Sequence, residues 1–221
     1  MNEQKSGKTP GLSADEEQEV SHNQPPRAAV LHEIIRAQGD KELQRTIAAL
    51  WWSALAAGLS MGLSLMAMGL FYSRLPEGDS SQVIASLGYS AGFLAVILAR
   101  QQLFTENTLT AVLPVMTKPT FNNVGRLLRL WGVVLFGNLV GTVLVSYVML
   151  HLPIFDTKTD MAFLEIGRKI MENDAGQMFA KGIVSGWMIA TMVWMIPSME
   201  SAKMWIIILI TYLMALGDFT H

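Results

Sequence analysis

Residues 83–115 begin as an apolar, helix-length run, break at Arg100-Gln101-Gln102-Leu103-Phe104-Thr105-Glu106-Asn107-Thr108, and turn apolar again to Val115. Lipid cannot satisfy free backbone N–H and C=O groups, so such a break has to be buried in protein or set beside water. Interrupted hydrophobic segments of this kind are where solutes cross. Every expectation below depends on whether the rest of the chain can shelter that break.

The chain is 51% hydrophobic and 15% charged, and its charges lie outside long neutral runs. No charged residue occurs in 46–72, 83–99, 130–155, 182–199 or 204–217. About 20 apolar residues cross the ~30 Å hydrocarbon layer, so the first and third runs span unaided and the second and fourth span with their flanks. The fifth is too short to cross. The expected class is all-α, a polytopic membrane protein. A net charge of −2 with no gathered basic patch excludes a nucleic-acid partner. The absence of cysteine removes disulfides, thiolate metal sites and thiol nucleophiles. No paired-His motif, nucleophile elbow or phosphate cradle appears in context, so neither an enzyme nor a metal or other cofactor is expected.

In chain order, residues 1–24 read as a disordered polar tail, because acidic residues such as Asp15, Glu16, Glu17 and Glu19 dominate and little apolar surface is available to bury. Residues 25–40 read as an amphipathic surface helix ending at Gln38-Gly39, with Leu31, Ile34 and Ile35 opposite His32, Glu33 and Arg36. Residues 41–221 read as the transmembrane domain, its first span over about 41–71. Trp51, Trp52 and Tyr72 lie where interfacial aromatics belong. Gly58, Gly62 and Gly69 predict a close helix neighbour, and Gly137-Asn138-Leu139-Val140-Gly141 repeats the pattern with an asparagine that needs an interhelical partner. Residues 156–181 predict a surface helix, followed by a fourth span over about 179–196 that Pro197 stops.

Segments on the amino-terminal side of the membrane carry eleven Lys and Arg against five on the other, which places the amino terminus in the cytoplasm. The basic 156–181 loop runs against that tendency and points to another use, such as gathering anions. The fifth run, 205–216, rises only about 18 Å and ends at Gly217-Asp218-Phe219-Thr220-His221. Interrupted second and fifth segments are what an inverted repeat of three helices plus three produces. Phe104-Thr105 and Phe219-Thr220 look like an echo between the two breaks. Arg100, ionisable at membrane depth, calls for a cavity or a partner, with Glu106 the nearest candidate.

These features resemble the formate/nitrite transporter (FNT) family of bacterial inner-membrane channels. The resemblance is carried by Gly92-Phe93 through Asn107-Thr108, by Trp131 with Gly137-Asn138 and Gly141, and by Lys181-Gly182-Ile183-Val184 to Trp194. It implies an aquaporin-like inverted-repeat bundle with broken second and fifth helices, assembled as a homopentamer in the lipid bilayer. The implied substrate is a small monovalent anion or its conjugate acid, moved passively or coupled to protons. By the same resemblance Leu103, Phe104, Phe93 and Tyr89 form the pore constriction. Thr105, Asn107 and His221 serve as the substrate or proton relay, and Lys169 with Arg100 supplies vestibule charge. The family's fourth-helix asparagine is Gly186 here, Arg100 stands where small neutral residues are usual, and the sequence stops before the family's sixth helix. Those departures keep a non-conducting scaffold, or a truncated fragment, as the alternative to transport. For transport the chemistry is direct: an apolar throat opposes a naked anion by many kcal/mol. Protonation removes most of that opposition, and a histidine of reference pKa about 6.5 suits the proton transfer.

Overall fold

The computed structural model describes Ser13, Asp15 and residues 26–76 and 78–219. The remainder of the polar leader, Thr220 and the expected relay residue His221 lie outside the described residues. The described elements are all helical. A surface helix α1 (Ala28–Leu43) precedes the first span α2 (Ile47–Arg74). The second span is broken into α3 (Asp79–Ala85), a 3-10 turn (Ser86–Tyr89), α4 (Ser90–Leu98), α5 (Phe104–Thr110) and α6 (Val112–Thr117). The third span is α7 (Phe121–His151), followed by the surface helix α8 (Thr157–Met171), the fourth span α9 (Ala175–Met195) and the half-length α10 (Lys203–Leu216). Four of these segments are long and apolar enough to cross a membrane: Ile47–Arg74, Ser80–Leu98, Phe121–His151 and Ala175–Ser198.

The surface helix runs beyond its expected end at Gln38-Gly39 to Leu43, and the first span begins at Ile47 rather than near residue 41. Gly39 is no terminator. A side chain there would meet the Thr110 carbonyl at 2.0 Å, so this glycine lets α1 lie directly on the second span. Pro114 has no N–H to return to Thr110, which leaves that carbonyl turned toward the contact. The α1 helix ends where Arg129, on α7, donates Nη2 to the carbonyls of Leu43 (2.8 Å) and Arg45 (3.1 Å), capping otherwise orphaned acceptors. Thr46 then opens α2 by accepting from the Ala49 N–H. His32, expected on the polar face, is half-buried, and its ring lies 6.3 Å from that of Trp194 on α9.

The α2–α7 pair is the central seam of the bundle. Gly58 and Gly141 face each other so closely that a side chain on Gly58 would meet the Asn138 carbonyl at 2.3 Å, and one on Gly141 the Leu55 carbonyl at 2.5 Å. With no hydrophobic effect acting between helices in lipid, such backbone approach is what gives dispersion and polar contacts their strength. The small-residue pattern of the two helices is thus a real interface. Outside the spans, Asp156 caps α8 by accepting from the Thr159 N–H at 2.8 Å, and Phe163 packs over Gly69.

Two outcomes follow. Gly58→Leu should abolish recovery of folded protein by gel filtration in detergent, whereas Gly125→Leu, at an open position on α7, should not. The Asp156 carboxyl is held below its ordinary value, chiefly by the Thr159 backbone N–H and then by the Thr159 hydroxyl. Its contribution is therefore present at neutral pH and is lost as pH falls through that depressed value. Melting curves of wild type should show an acid loss that Asp156→Asn reduces.

Candidate functional site: the broken second helix

The interruption is shorter than its polar composition suggests. Only residues 99–103 leave the helix, and Phe104-Thr105-Glu106-Asn107-Thr108 already form the first turns of α5. The reason lies in one side chain on the neighbouring helix. Asn138, near the middle of α7, accepts the Phe104 N–H on its Oδ1 at 2.9 Å, standing in for a helix cap that Leu103 cannot provide. Its Nδ2 donates to the Gln102 carbonyl at 2.8 Å and to the Ala54 carbonyl at 2.9 Å. The Gln102 N–H is taken by Ser53 Oγ on α2 at 3.1 Å. The exposed backbone of the break is thereby paired inside protein, as a membrane requires.

A second polar chain runs from the surface helix into the break. Arg45 pairs with Glu42 at 3.1 Å, and Glu42 accepts from Gln102 Nε2 at 2.7 Å. Gln102 Oε1 in turn accepts from Asn107 Nδ2 at 3.0 Å. Asn107 also donates to the Leu103 carbonyl, and its own carbonyl accepts from Trp131 Nε1 at 3.3 Å. The amide of Asn107 is therefore engaged in holding the break. Glu106 feels the charges of Lys203 and Glu42, and the expected Arg100–Glu106 partnership is not among the described ion pairs. The two residues belong to different parts of the segment: Arg100 lies in the break just after α4, whereas Glu106 is in the first turn of α5.

The expected constriction residues divide between two apolar clusters. Phe93, fully buried, and Leu103 join Ile189, Met192 and Val193 of α9 and Ile206, Ile207 and Met214 of α10, with Tyr89 packed against them. The Tyr89 and Phe93 rings are 5.3 Å apart. Phe104 turns the other way, packing with the cluster of Leu50, Ala54, Leu130 and Val134 and lying 6.1 Å from the Trp131 ring. Thr105 Oγ1 and Gln101 Oε1 are buried without a hydrogen-bond partner among the described residues. Lys169 lies in the last turn of α8. A side chain added at Gly186 would meet nothing within 4 Å, so that turn of α9 borders open space.

The two breaks end their half-helices in the same way. After α4, Arg100 adopts φ 52°; after α10, Asp218 adopts φ 54°. Arg100 N–H bonds the Ile97 carbonyl and Gln101 N–H the Val96 carbonyl, at 3.2 and 2.9 Å. Asp218 N–H bonds Ala215 and Phe219 N–H bonds Met214, at 3.2 and 3.0 Å. Both are Schellman terminations with a left-handed residue where glycine is usual. This backbone equivalence sets Arg100 against Asp218 and Gln101 against Phe219, so Phe104 is not the counterpart of Phe219 and the Phe-Thr echo is out of register. Thr211 links the two broken helices, sharing a 2.8 Å bond with Ser90 Oγ. Lys181, which sequence reasoning left out of the site, donates to Asp218 at 2.7 Å and to Asn173 at 2.6 Å. Its signal was a lone lysine at the edge of a neutral run with an aspartate at the edge of the next.

Asn138→Ala should destabilise the protein by about 2–4 kcal/mol, since it strands a buried N–H and carbonyl at the break. Denaturation in detergent measures this, and a change within error would remove Asn138 from its central place.

The formate/nitrite transporter family model matches residues 29–221. The inner membrane protein YfdC of Escherichia coli (strain K12) is 56% identical over 197 residues, covering 89% of this chain, and the chain spans 64% of that protein's length. Among solved structures, a pentameric formate channel with formate bound superposes with a TM-score of 0.69 at 22% identity, covering 79% of this chain and 70% of that one. An FNT family ion channel superposes equally well, TM-score 0.69 at 21% identity, covering 88% and 76%. Those likenesses carry the fold. The chain is a multi-pass membrane protein and belongs to the formate/nitrite transporter family.

Proposed function

We propose that this protein is an inner-membrane channel for a small monovalent anion such as formate or nitrite, crossing passively or with a proton, and that it works as a homopentamer with its amino terminus in the cytoplasm. The observation that carries this reading is the meeting of Phe93, on α4, and Leu103, the last residue of the break, with α9 and α10 in one apolar cluster at the level where Asn138 pins the backbone. Leu103, Phe93 and Tyr89 form the throat. Phe104 shapes it from behind by fixing the turn against Trp131.

Such a throat passes a neutral acid far more readily than its anion, because the unpaired charge loses its hydration with nothing to replace it. The buried Thr105 hydroxyl, without a hydrogen-bond partner among the described residues, supplies a polar contact beside the throat. His221 gives and takes the proton, and Lys169 raises the local anion concentration at the mouth. Asn107 acts by holding Gln102 and Leu103 in place. The chemistry rests on a dry throat with charge at its mouth.

Uptake of radiolabelled formate, nitrite and acetate by proteoliposomes tests the proposal. Rates should be substrate-dependent and rise as pH falls, and Leu103→Ala should admit larger acids such as acetate relative to formate. Absence of substrate-dependent flux at every pH would leave a membrane scaffold as the function.

A further inference from the structure

Arg100 has no place in the scheme above, and its surroundings single it out. It is exposed, yet it lies at the end of α4 beside the break that Asn138 holds at mid-helix depth. The described ion pairs are Arg36 with Glu33 and Asp40, Arg45 with Glu42, and Lys181 with Asp218; Arg100 enters none. Its backbone equivalent at the other break, Asp218, does have an ionic partner in Lys181 on α9. The spans beside the second-helix break are α2, whose Ser53 bonds Gln102, and α7, whose Asn138 does too, and residues 46–72 and 130–155 hold no charge that could play the part of Lys181; the carboxylate at this break, Glu42, is taken by Arg45 and Gln102 Nε2.

A guanidinium at membrane depth needs water or a partner, because lipid provides neither. The next residue, Gln101, presents a buried oxygen with no partner among the described residues, and Thr105 presents another. Among the described residues, three polar groups in or next to one break thus lack a protein partner, and Leu103, at the end of the same break, joins the apolar cluster that holds Phe93. The backbone at Arg100 is left-handed, a conformation that disfavours residues other than glycine.

Resting on the conduit reading, we propose that Arg100 is an anion-binding residue of the conduit, its guanidinium taking both oxygens of a small carboxylate or nitrite at the second-helix break. The planar fork matches two oxygens of one anion, which a lysine ammonium cannot do. Arg100 concentrates and orients the anion on one side of the throat. The proton that neutralises the anion for passage comes from elsewhere in the conduit, so the step at Arg100 is binding alone.

Isothermal titration calorimetry of the detergent-purified protein with sodium formate and sodium nitrite tests this, with native mass recorded for each variant. Arg100→Gln should weaken binding about tenfold or more. Arg100→Lys should fall between, keeping the charge and losing the fork. Arg100→Gly should weaken binding as much as Arg100→Gln while raising the melting temperature, because glycine relieves the left-handed backbone; a purely structural arginine predicts no such opposition. Unchanged binding in Arg100→Gln and Arg100→Gly overturns the inference and leaves the conduit standing. Retained binding with a drop in native mass also overturns it, assigning Arg100 to a contact between copies. Wild type that binds neither anion removes the conduit reading and this inference together.

Discussion

The carboxamide of Asn138 is the interaction on which the rest depends. A hydrophobic segment cannot stop being helical inside a bilayer unless its freed N–H and C=O groups find partners, and one side chain on α7 provides them on both sides of Leu103. The same amide reaches Ala54 on α2, so a single residue ties together three elements at one depth. Gly58 and Gly141 make this possible by letting the α2 and α7 backbones approach until a two-carbon side chain spans the gap. Remove the close approach and the amide no longer reaches; remove the amide and the break has no reason to persist.

The two broken helices are alike in backbone and unlike in how they are held. Each half-helix ends in the same left-handed turn, at Arg100 and at Asp218. The first turn is followed by a backbone locked through neutral amides and a serine, buried and directional. The second is met by the ammonium of Lys181, a longer and more adaptable contact on partly exposed atoms. An inverted repeat therefore fixes where the chain must bend, while the side chains that secure each bend differ between the halves. That asymmetry also leaves one charge matched and the other available.

The surface helix α1 is joined to this centre in three ways: Gly39 against the Thr110 carbonyl, Arg129 on the last carbonyls of α1, and Glu42 on Gln102. Arg36 meanwhile draws Glu33 and Asp40 together on the outer face, so the helix keeps its polar side satisfied without inward partners. Its inward side therefore packs on the second span and reaches the break through polar contacts, so the break is braced by α1 as well as by α2 and α7.

Much was legible from residue order alone. Charge-free runs of sufficient length set the number and position of the spans, because hydrocarbon admits nothing else, and glycine spacing marked α2 and α7 as neighbours. The motif around Leu103-Phe104-Thr105 pointed to the family whose model matches residues 29–221. What linear order did not contain was direction. Leu103 and Phe104 are adjacent, yet one faces α9 and α10 and the other Trp131, since the bond from Asn138 to the Phe104 N–H restarts the helix between them. Gly39 looked like a helix end and proved to be a contact, and Lys181 gained meaning only when Asp218, distant in sequence, came within 2.7 Å. Hydropathy along a chain decides which segments enter the bilayer; which faces meet there depends on packing between segments far apart, and only the folded arrangement specifies it.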